Sequence, residues 1–254
     1  MKHFRHFCLL SLFILALLTG CAKEWKTTST TYYKATSADT AAVYNESKIK
    51  LEITHFEGND AASKALNKRI FTAVCNSLYT GERIAEVKNY NELANSFVAN
   101  YTQIKADLKQ DSLPSWEAQA TTKINYQSPK LLNIILDYYI FTGGAHGYGA
   151  SESLLFNPEN GRAYKLNEVF SKTDKLTQLV ETKFRVRLKI PAKSSLTEAG
   201  YFFADDTFVL PKNFIFSKKG IRFHYNTYEV ASYAQGPIDV LISYKEVGNL
   251  FLLQ

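Results

Sequence analysis

Apolar and polar residues follow two different periods in the first half of the chain. Between Lys48 and Thr54 they alternate, which predicts a strand with one buried face. Two later series recur every three or four residues and predict amphipathic helices, one capped by Asn59 or Asp60 and one ending before Pro114. Their apolar members are Ala62, Leu66, Ile70 and Val74 in the first helix, and Leu93, Phe97, Tyr101, Ile104 and Leu108 in the second.

The second half of the chain is richer in strands. Residues 131–141 are apolar on both faces apart from Asn133 and Asp137, which predicts a central strand. The other predicted strands, of which the third and fourth form a hairpin, are 116–126, 153–156, 214–216, 221–225 and 238–244. Helices and strands in separate runs predict the α+β class. We expect antiparallel sheets with helices packed on one face, in one compact unit or two closely packed subdomains.

The segment after Ser171 fits two structures. Its first half has the spacing of a third helix, but from Phe184 to Ile190 apolar residues alternate with basic ones, as in a strand. In a strand the four basic side chains would share one side and offer a surface to an anionic polymer. Otherwise they are ordinary solvated charges. They are Lys183, Arg185, Arg187 and Lys189.

The first twenty residues have the pattern of an export signal. Lys2 and Arg5 give a positive start, and residues 8–18 form an apolar run that is shorter than the roughly 20 residues of a membrane span. The following Leu-Thr-Gly-Cys sequence resembles the bacterial lipobox, in which the cysteine is lipidated and the chain is cut just before it. We therefore expect residues 1–20 to be removed and Cys21 to anchor an envelope lipoprotein that faces the periplasm or the cell surface.

Composition suggests how the rest of the chain is divided. Residues 21–43 are rich in Thr, Ser and Ala, and we predict a tether there that reaches roughly 25 Å as a flexible coil. Trp25, Tyr32 and Tyr33 leave open the alternative that part of it docks as a first strand. Two modules are predicted beyond it, at 44–141 and 142–254.

Charge and cysteine content exclude some classes of protein. Loss of Lys2 and Arg5 with the signal lowers the formal net charge from +6 to +4, and the basic residues are dispersed, so we expect no nucleic-acid partner. Cys75 is then the one thiol left free, so the mature chain has no internal disulfide. Its position in a helical apolar pattern predicts a buried, unreactive side chain.

Common catalytic and metal motifs are missing. The mature chain has three histidines, His55, His146 and His224, without the spacing of zinc ligands. It has no Gly-x-Ser-x-Gly elbow and no nucleotide-binding loop. We therefore expect no metal, no cofactor and no catalytic residues.

Two loops nevertheless carry chemistry. Residues 142–149 hold four glycines around one histidine, which permits close approach of a ligand or backbone, and their N–H groups suit an anion. Residues 228–237 present two tyrosines, which suit protein or glycan contact. The structural alternatives are a tight turn for the first loop and an edge of the core for the second. The candidate ligand contacts are Gly143, Gly144, His146, Gly147, Tyr228, Glu229 and Tyr233.

These loops also carry a family resemblance. Together with Asn67 in the first helix, the Thr-Gly-Gly-Ala-His-Gly and Tyr-Glu-Val-Ala-Ser-Tyr-Ala-Gln-Gly-Pro sequences resemble a paired module of bacterial envelope proteins. That module forms the extracellular part of the RsiV anti-sigma factor and the non-catalytic N-terminal part of the PdaC deacetylase. The resemblance covers roughly residues 44–247, with Ser232 where the family usually has proline. It implies recognition of lysozyme-like protein or peptidoglycan.

The leading hypothesis is a non-catalytic binding or sensory lipoprotein of the cell envelope, with lysozyme-like protein or peptidoglycan as first candidate ligand. One alternative is a cell-wall hydrolase that pairs His146 with Glu229 or Asp137. Another is a structural component of an envelope complex, which an exposed apolar patch would favour. His146 within hydrogen-bond reach of a carboxylate in a pocket would favour the hydrolase, and His146 on an open hairpin would disfavour it.

Overall fold

The computed structural model describes residues 23–37, 46–78, 87–109 and 113–254. Two sheets form its framework, and the α+β prediction is confirmed. The signal peptide and Cys21 lie outside the described residues. The strands of the larger sheet, in chain order, are β1 (Thr27–Ala35), β2 (Ser47–Phe56), β3 (Trp116–Gln127), β4 (Leu132–Phe141) and β5 (Tyr148–Phe156).

The larger sheet keeps its strands in chain order, from β1 at one edge to β5 at the other. All neighbours are antiparallel except β2 and β3, which are parallel. Two helices, α1 (Ala61–Ser77) and α2 (Tyr90–Leu108), connect this parallel pair, because parallel strands need a long crossover. Asp60 caps α1 by accepting hydrogen bonds from the N–H groups of Ala62 and Ser63.

Both predicted helices pack on one face of this sheet. Alternate residues of β2 lie fully buried beneath them, and the predicted apolar repeat of α1 is buried against the sheet. In α2 the repeat is buried as far as Tyr101, whereas Leu108 at the end of the helix is 54% exposed. The central strand β4 is buried on both faces over its first half, as its apolar run predicted. Members of this core include Ile49, Leu51, Leu66, Ile70, Phe97 and Tyr101.

The smaller sheet follows in the second half of the chain. It contains β6 (Asn213–Ser217), β7 (Gly220–Tyr225) and β8 (Ile238–Ile242), all antiparallel. The predicted hairpin is confirmed, with Phe214 opposite Phe223 and Phe216 opposite Ile221. Its helices are α3 (Leu166–Val169), α4 (Thr173–Leu188) and α5 (Tyr244–Val247).

The segment 184–190 is helical to Leu188, so the strand alternative is wrong. Leu176, Val180 and Phe184 continue the helical repeat into the core, and this burial outweighs the alternation that follows. On a helix, the basic residues no longer share one side. Lys183 pairs with Glu246, whereas Arg185 pairs with Glu181 in its own helix. The predicted single-sided basic surface therefore does not form.

The predicted tether is in part a strand. β1 pairs with β2 along its whole length, and Tyr32 packs against Tyr90 of α2 with ring centroids 5.0 Å apart. The docking alternative is therefore correct for residues 27–35, because this segment pairs with β2 and the Tyr32 ring packs against the core. The predicted module boundary at 141 and 142 stays a prediction, although the larger sheet continues to Phe156.

Polar side chains join the two sheets. Asn133 on β4 accepts a hydrogen bond from the Phe216 N–H at 3.1 Å and donates to Ser153 Oγ at 2.9 Å. Ser153 in turn donates to the Phe214 carbonyl at 2.6 Å. The polar exception in the apolar run of β4 is thus explained, since Asn133 binds the backbone of β6.

Asn226 completes the same junction from the other side. Its amide oxygen accepts from the Ser151 N–H at 2.8 Å, and its amide nitrogen donates to the Ser151 carbonyl at 3.0 Å. Asn213 likewise accepts from the Ser153 N–H at 3.0 Å. β5 is the outer strand of its sheet, and these side chains supply the partners that a further strand would have supplied.

Candidate functional site

The two loops chosen from the sequence meet in the structure. Residues 142–147 turn the chain from β4 into β5, and the loop after β7 lies beside this turn. The Tyr228 hydroxyl is 3.0 Å from His146 Nε2. The rings of His146 and Tyr233 stack with centroids 4.1 Å apart and 15° between their planes. We call His146, Tyr228 and Tyr233 the aromatic cluster.

The aromatic cluster faces solvent. Tyr228 and Tyr233 are 47% and 50% exposed, and His146 is exposed as well. Tyr228 has a backbone φ of 70°, a left-handed conformation that costs a residue other than glycine about 1–2 kcal/mol. Such strain concentrates at binding sites, where the surrounding structure holds it in place.

The glycines of the turn are required for different structural reasons. Gly143 and Gly144 have φ values of 109° and 96°, which only glycine adopts easily, and open space surrounds both. Gly147 is different, because a Cβ atom there would lie 2.3 Å from the Tyr139 hydroxyl oxygen. The predicted close approach at Gly147 is therefore made by a ring of the protein itself.

Glu229 lies next to the aromatic cluster but points into the junction. Its carboxylate accepts hydrogen bonds from the Asn226 N–H at 3.1 Å and from the Asn226 amide at 3.3 Å. Its negative charge also raises the pKa of Tyr148, although burial of the Tyr148 hydroxyl contributes more to that increase. We therefore assign Glu229 to positioning the loop.

The carboxylates of the hydrolase alternative are engaged elsewhere. Asp137 accepts a hydrogen bond from Ser151 Oγ at 2.5 Å and pairs with Lys123 at 3.2 Å. Among the described residues, the hydrogen-bond partners of the His146 ring are the Tyr228 hydroxyl and the Gly147 carbonyl, the latter at 3.2 Å. In the described part of the chain, neither Glu229 nor Asp137 forms the hydrogen bond to His146 that the hydrolase alternative requires.

A hydrogen-bonded pair behind the loop, His224 and Asp239, was not predicted from the sequence. His224 Nδ1 lies 2.7 Å from an Asp239 oxygen, and its Nε2 lies 3.1 Å from Asn226 Oδ1. Burial alone would raise the pKa of Asp239, but the hydrogen bond from His224 and the charge of Arg222 outweigh it and lower that pKa. The register of β7 and β8 places His224 opposite Asp239, and that pairing was the available signal.

The other predictions about chemistry concern metals and thiols. Within the ranges that the structure describes, no group of three His, Cys, Asp or Glu residues is arranged to hold a metal ion. Cys75 is half-buried, and burial raises the pKa of its thiol to about 11, which makes it a poor nucleophile. None of the described helices is long and apolar enough to cross a membrane.

An apolar groove lies outside the aromatic cluster. It has a volume of about 670 Å³, runs between β5 and the start of α4, and contains none of the candidate ligand contacts. A second groove of about 250 Å³ is lined by Glu229 together with Phe202 and Val230. His146, Tyr228 and Tyr233 line neither of these grooves.

Comparison with known families finds two matching regions. Residues 40–148 match the family described as "Deacetylase PdaC", and residues 166–245 match "Protein of unknown function (DUF3298)". These two regions are therefore similar to a PdaC-like and to a DUF3298 domain, which confirms the resemblance drawn from the loop motifs. No curated protein matches the chain significantly.

Two solved structures share the fold. A member of the DUF3298 family from Bacteroides fragilis is 20% identical, with a TM-score of 0.67, over 89% of this chain and 93% of its own. A DUF3298 family protein from Pseudomonas aeruginosa is 15% identical, with a TM-score of 0.64, over 90% and 97%. At these identities the likeness shows the fold.

Proposed function

We propose that this chain, which combines a PdaC-like and a DUF3298 domain, is a non-catalytic envelope lipoprotein whose aromatic cluster binds cell-wall glycan. The observation that carries the proposal is that two loops 82 residues apart place His146, Tyr228 and Tyr233 together at the surface. Aromatic rings grouped at the surface suit contact with a partner, because each combines a rigid apolar face with a polar atom at its edge.

The chemistry of the cluster suits a sugar polymer. Tyrosine and histidine rings offer a flat apolar face, which stacks on the C–H face of a pyranose. Their hydroxyl and ring nitrogen atoms also exchange hydrogen bonds with sugar hydroxyls. The three rings are held at fixed angles by each other, so little side-chain entropy is lost when a ligand binds.

A lysozyme-like protein is the less favoured ligand. A stable protein interface covers about 800 Å² on each partner, more than three side chains provide. Lysozyme is basic, and a mature chain with a net charge of +4 after loss of Lys2 and Arg5 offers it no general electrostatic attraction. Glycan recognition needs neither a large area nor opposite charge.

Titration calorimetry tests the ligand. The purified chain lacking residues 1–21 is titrated with soluble peptidoglycan fragments and, separately, with lysozyme. We expect heat from the glycan, and a loss of affinity of about tenfold or more in Tyr233→Ala, which removes one stacking ring. Tyr33→Ala is the matched control, because Tyr33 is 59% exposed on β1 at the opposite edge of the sheet.

Three outcomes would count against the proposal. Absence of heat from both ligands removes the binding function. Heat from lysozyme alone assigns the cluster to a protein partner. Equal weakening by Tyr33→Ala and Tyr233→Ala shows that the cluster is not the contact surface.

The membrane anchor is proposed from the sequence. Cys21 follows the apolar run of the signal, and lipidation there would hold the domain at a membrane of the cell envelope. Labelled palmitate should attach to the wild-type chain in cells and be lost in Cys21→Ala. Persistent labelling of Cys21→Ala would contradict the anchor.

A further inference from the structure

Residues 23–26 are held against the body of the protein. The Gln127 amide donates a hydrogen bond to the Lys23 carbonyl at 2.5 Å, and the Lys23 ammonium group lies 3.4 Å from an Asp60 oxygen. The same ammonium group sits 3.8 Å above the Trp25 ring. Trp25 packs edge-on against Phe56, with ring centroids 5.0 Å apart. Four contacts thus fix the start of the described chain.

This docking point lies at one end of the larger sheet. Thr27 pairs with Phe56 and Gln127 with Leu132, so all four residues belong to the same end. The aromatic cluster lies at the other end, where β4 finishes and the 142–147 turn begins. β4 has ten residues, so at about 3.3 Å per residue the two ends are roughly 30 Å apart.

The lipid attachment point is close to the docking point along the chain. Lys23 is two positions after Cys21, with Ala22 between them, and a fully extended chain covers at most about 3.6 Å per residue. An acylated Cys21 would therefore lie within about 7 Å of the Lys23 backbone. The predicted tether of roughly 25 Å would have let the domain rotate freely, and this short link does not.

We infer that the anchored protein stands on the membrane with the Lys23 end down and the aromatic cluster directed away from the bilayer. The inference rests on the proposed function in one respect, because the orientation needs the lipid at Cys21; it does not depend on a ligand at the cluster. It defines the partner more closely: the cluster reaches polymer strands in the space beyond the bilayer, and it does not reach lipid headgroups.

Quenching by the membrane tests this orientation. The full-length protein is lipidated in cells, purified and placed in phosphatidylglycerol and phosphatidylethanolamine vesicles with nitroxide quenchers on the headgroups. A fluorophore is attached at Glu57→Cys or at Ala145→Cys in a Cys75→Ala background. Both positions are exposed, Glu57 beside Lys26 and Ala145 beside the cluster. We expect quenching at Glu57→Cys to be several times stronger than at Ala145→Cys.

The controls separate orientation from binding. A flexible spacer of twenty Gly and Ser residues inserted between Ala22 and Lys23 should make the two labels equal, because the domain then rotates. Equal quenching without the spacer, or stronger quenching at Ala145→Cys, overturns the inference. Failure of the soluble chain to bind glycan removes the proposed function alone, since the quenching pattern does not depend on it.

Discussion

Asn226 acts as a one-residue substitute for a strand, and Asn67 acts in the same way. Each amide side chain binds both the N–H and the C=O of one residue on a strand: Asn226 binds Ser151, and Asn67 binds Phe56 at 2.9 Å in both directions. The geometry imitates the paired hydrogen bonds of an antiparallel ladder. Asn67 thereby fastens α1 to the end of β2, and Asn226 fastens the smaller sheet to the edge of β5.

Substitution of Asn226 tests this role. Asn226→Ala removes the side chain that binds the backbone N–H and C=O of Ser151, and also the oxygen that faces His224. These polar groups are then left without hydrogen bonds. We expect the free energy of unfolding to fall by about 2–3 kcal/mol, measured by urea denaturation. The exposed Asn249→Ala is the control, and we expect it to change stability by less than about 0.5 kcal/mol. An equal effect of both substitutions would contradict the role.

Gly147 and Tyr139 are expected to be energetically coupled. A methyl group at Gly147 would overlap the Tyr139 ring, which must then move away from the turn. Gly147→Ala should therefore destabilise the protein by about 1–2 kcal/mol, and most of this loss should disappear in a Tyr139→Ala background. A double-mutant cycle in urea measures the coupling, and additive effects would show that Gly147 is needed for another reason.

At the level of elements, carboxylates secure the ends of three helices. Asp60 accepts from Ser63 at the start of α1, Glu168 pairs with Arg162 at α3, and Glu246 pairs with Lys183 at α5. Each pKa is lowered to about 2, first by that side-chain partner and then by a backbone N–H. Their ordinary values are 3.8 for Asp and 4.5 for Glu.

The lowered pKa values predict acid sensitivity. The unfolded chain takes up these protons near pH 4, whereas the folded chain resists them until about pH 2. The stabilisation is therefore complete above about pH 4.5 and is lost as the pH falls towards 2. Urea denaturation across this range should show a falling midpoint. Glu168→Gln should reduce the slope, and the exposed Glu198→Gln should leave it unchanged; an identical slope in Glu168→Gln would refute the assignment.

Elements with a single dominant period were predictable from the sequence, and those with competing periods were not. α1, α2, β4 and the β6–β7 hairpin lie where the apolar repeats placed them. In α4, alternation after Phe184 suggested a strand, because long basic side chains occupy both sides of an exposed helical turn. β1 lies at a sheet edge with few buried residues, so its pattern carried little signal.

For the molecule as a whole, the sequence located the parts of the candidate site but not their contact. Both loops stood out by composition, yet the stacking of His146 on Tyr233 depends on how the smaller sheet packs across β4 and β5. That packing is made by scattered polar residues such as Asn133 and Ser153, which have no local pattern. Long-range polar contacts of this kind cannot be predicted from the periodic pattern of apolar residues in the sequence.

The same junction makes the two halves of the chain depend on each other. Division at residues 141 and 142 would remove β5 from the larger sheet and expose β4, whose residues 132–136 are buried. An apolar strand without a neighbour pairs with other copies of itself. A fragment of residues 22–141 should therefore aggregate, as judged by size-exclusion chromatography. A fragment of residues 22–165 keeps β5 and should be more soluble, but its Asn133 and Ser153 lack partners from β6.

The intact chain should unfold in one transition that is the same by fluorescence and by circular dichroism, because neither sheet is complete without the polar junction. Asn133→Ala should lower the midpoints of both signals together, since it releases β6 from β4. A fragment of residues 22–141 that is monomeric and protects its amides from exchange would show that the first half folds alone. In that case the junction would join two independent domains, and Asn133→Ala would leave the stability of the larger sheet unchanged.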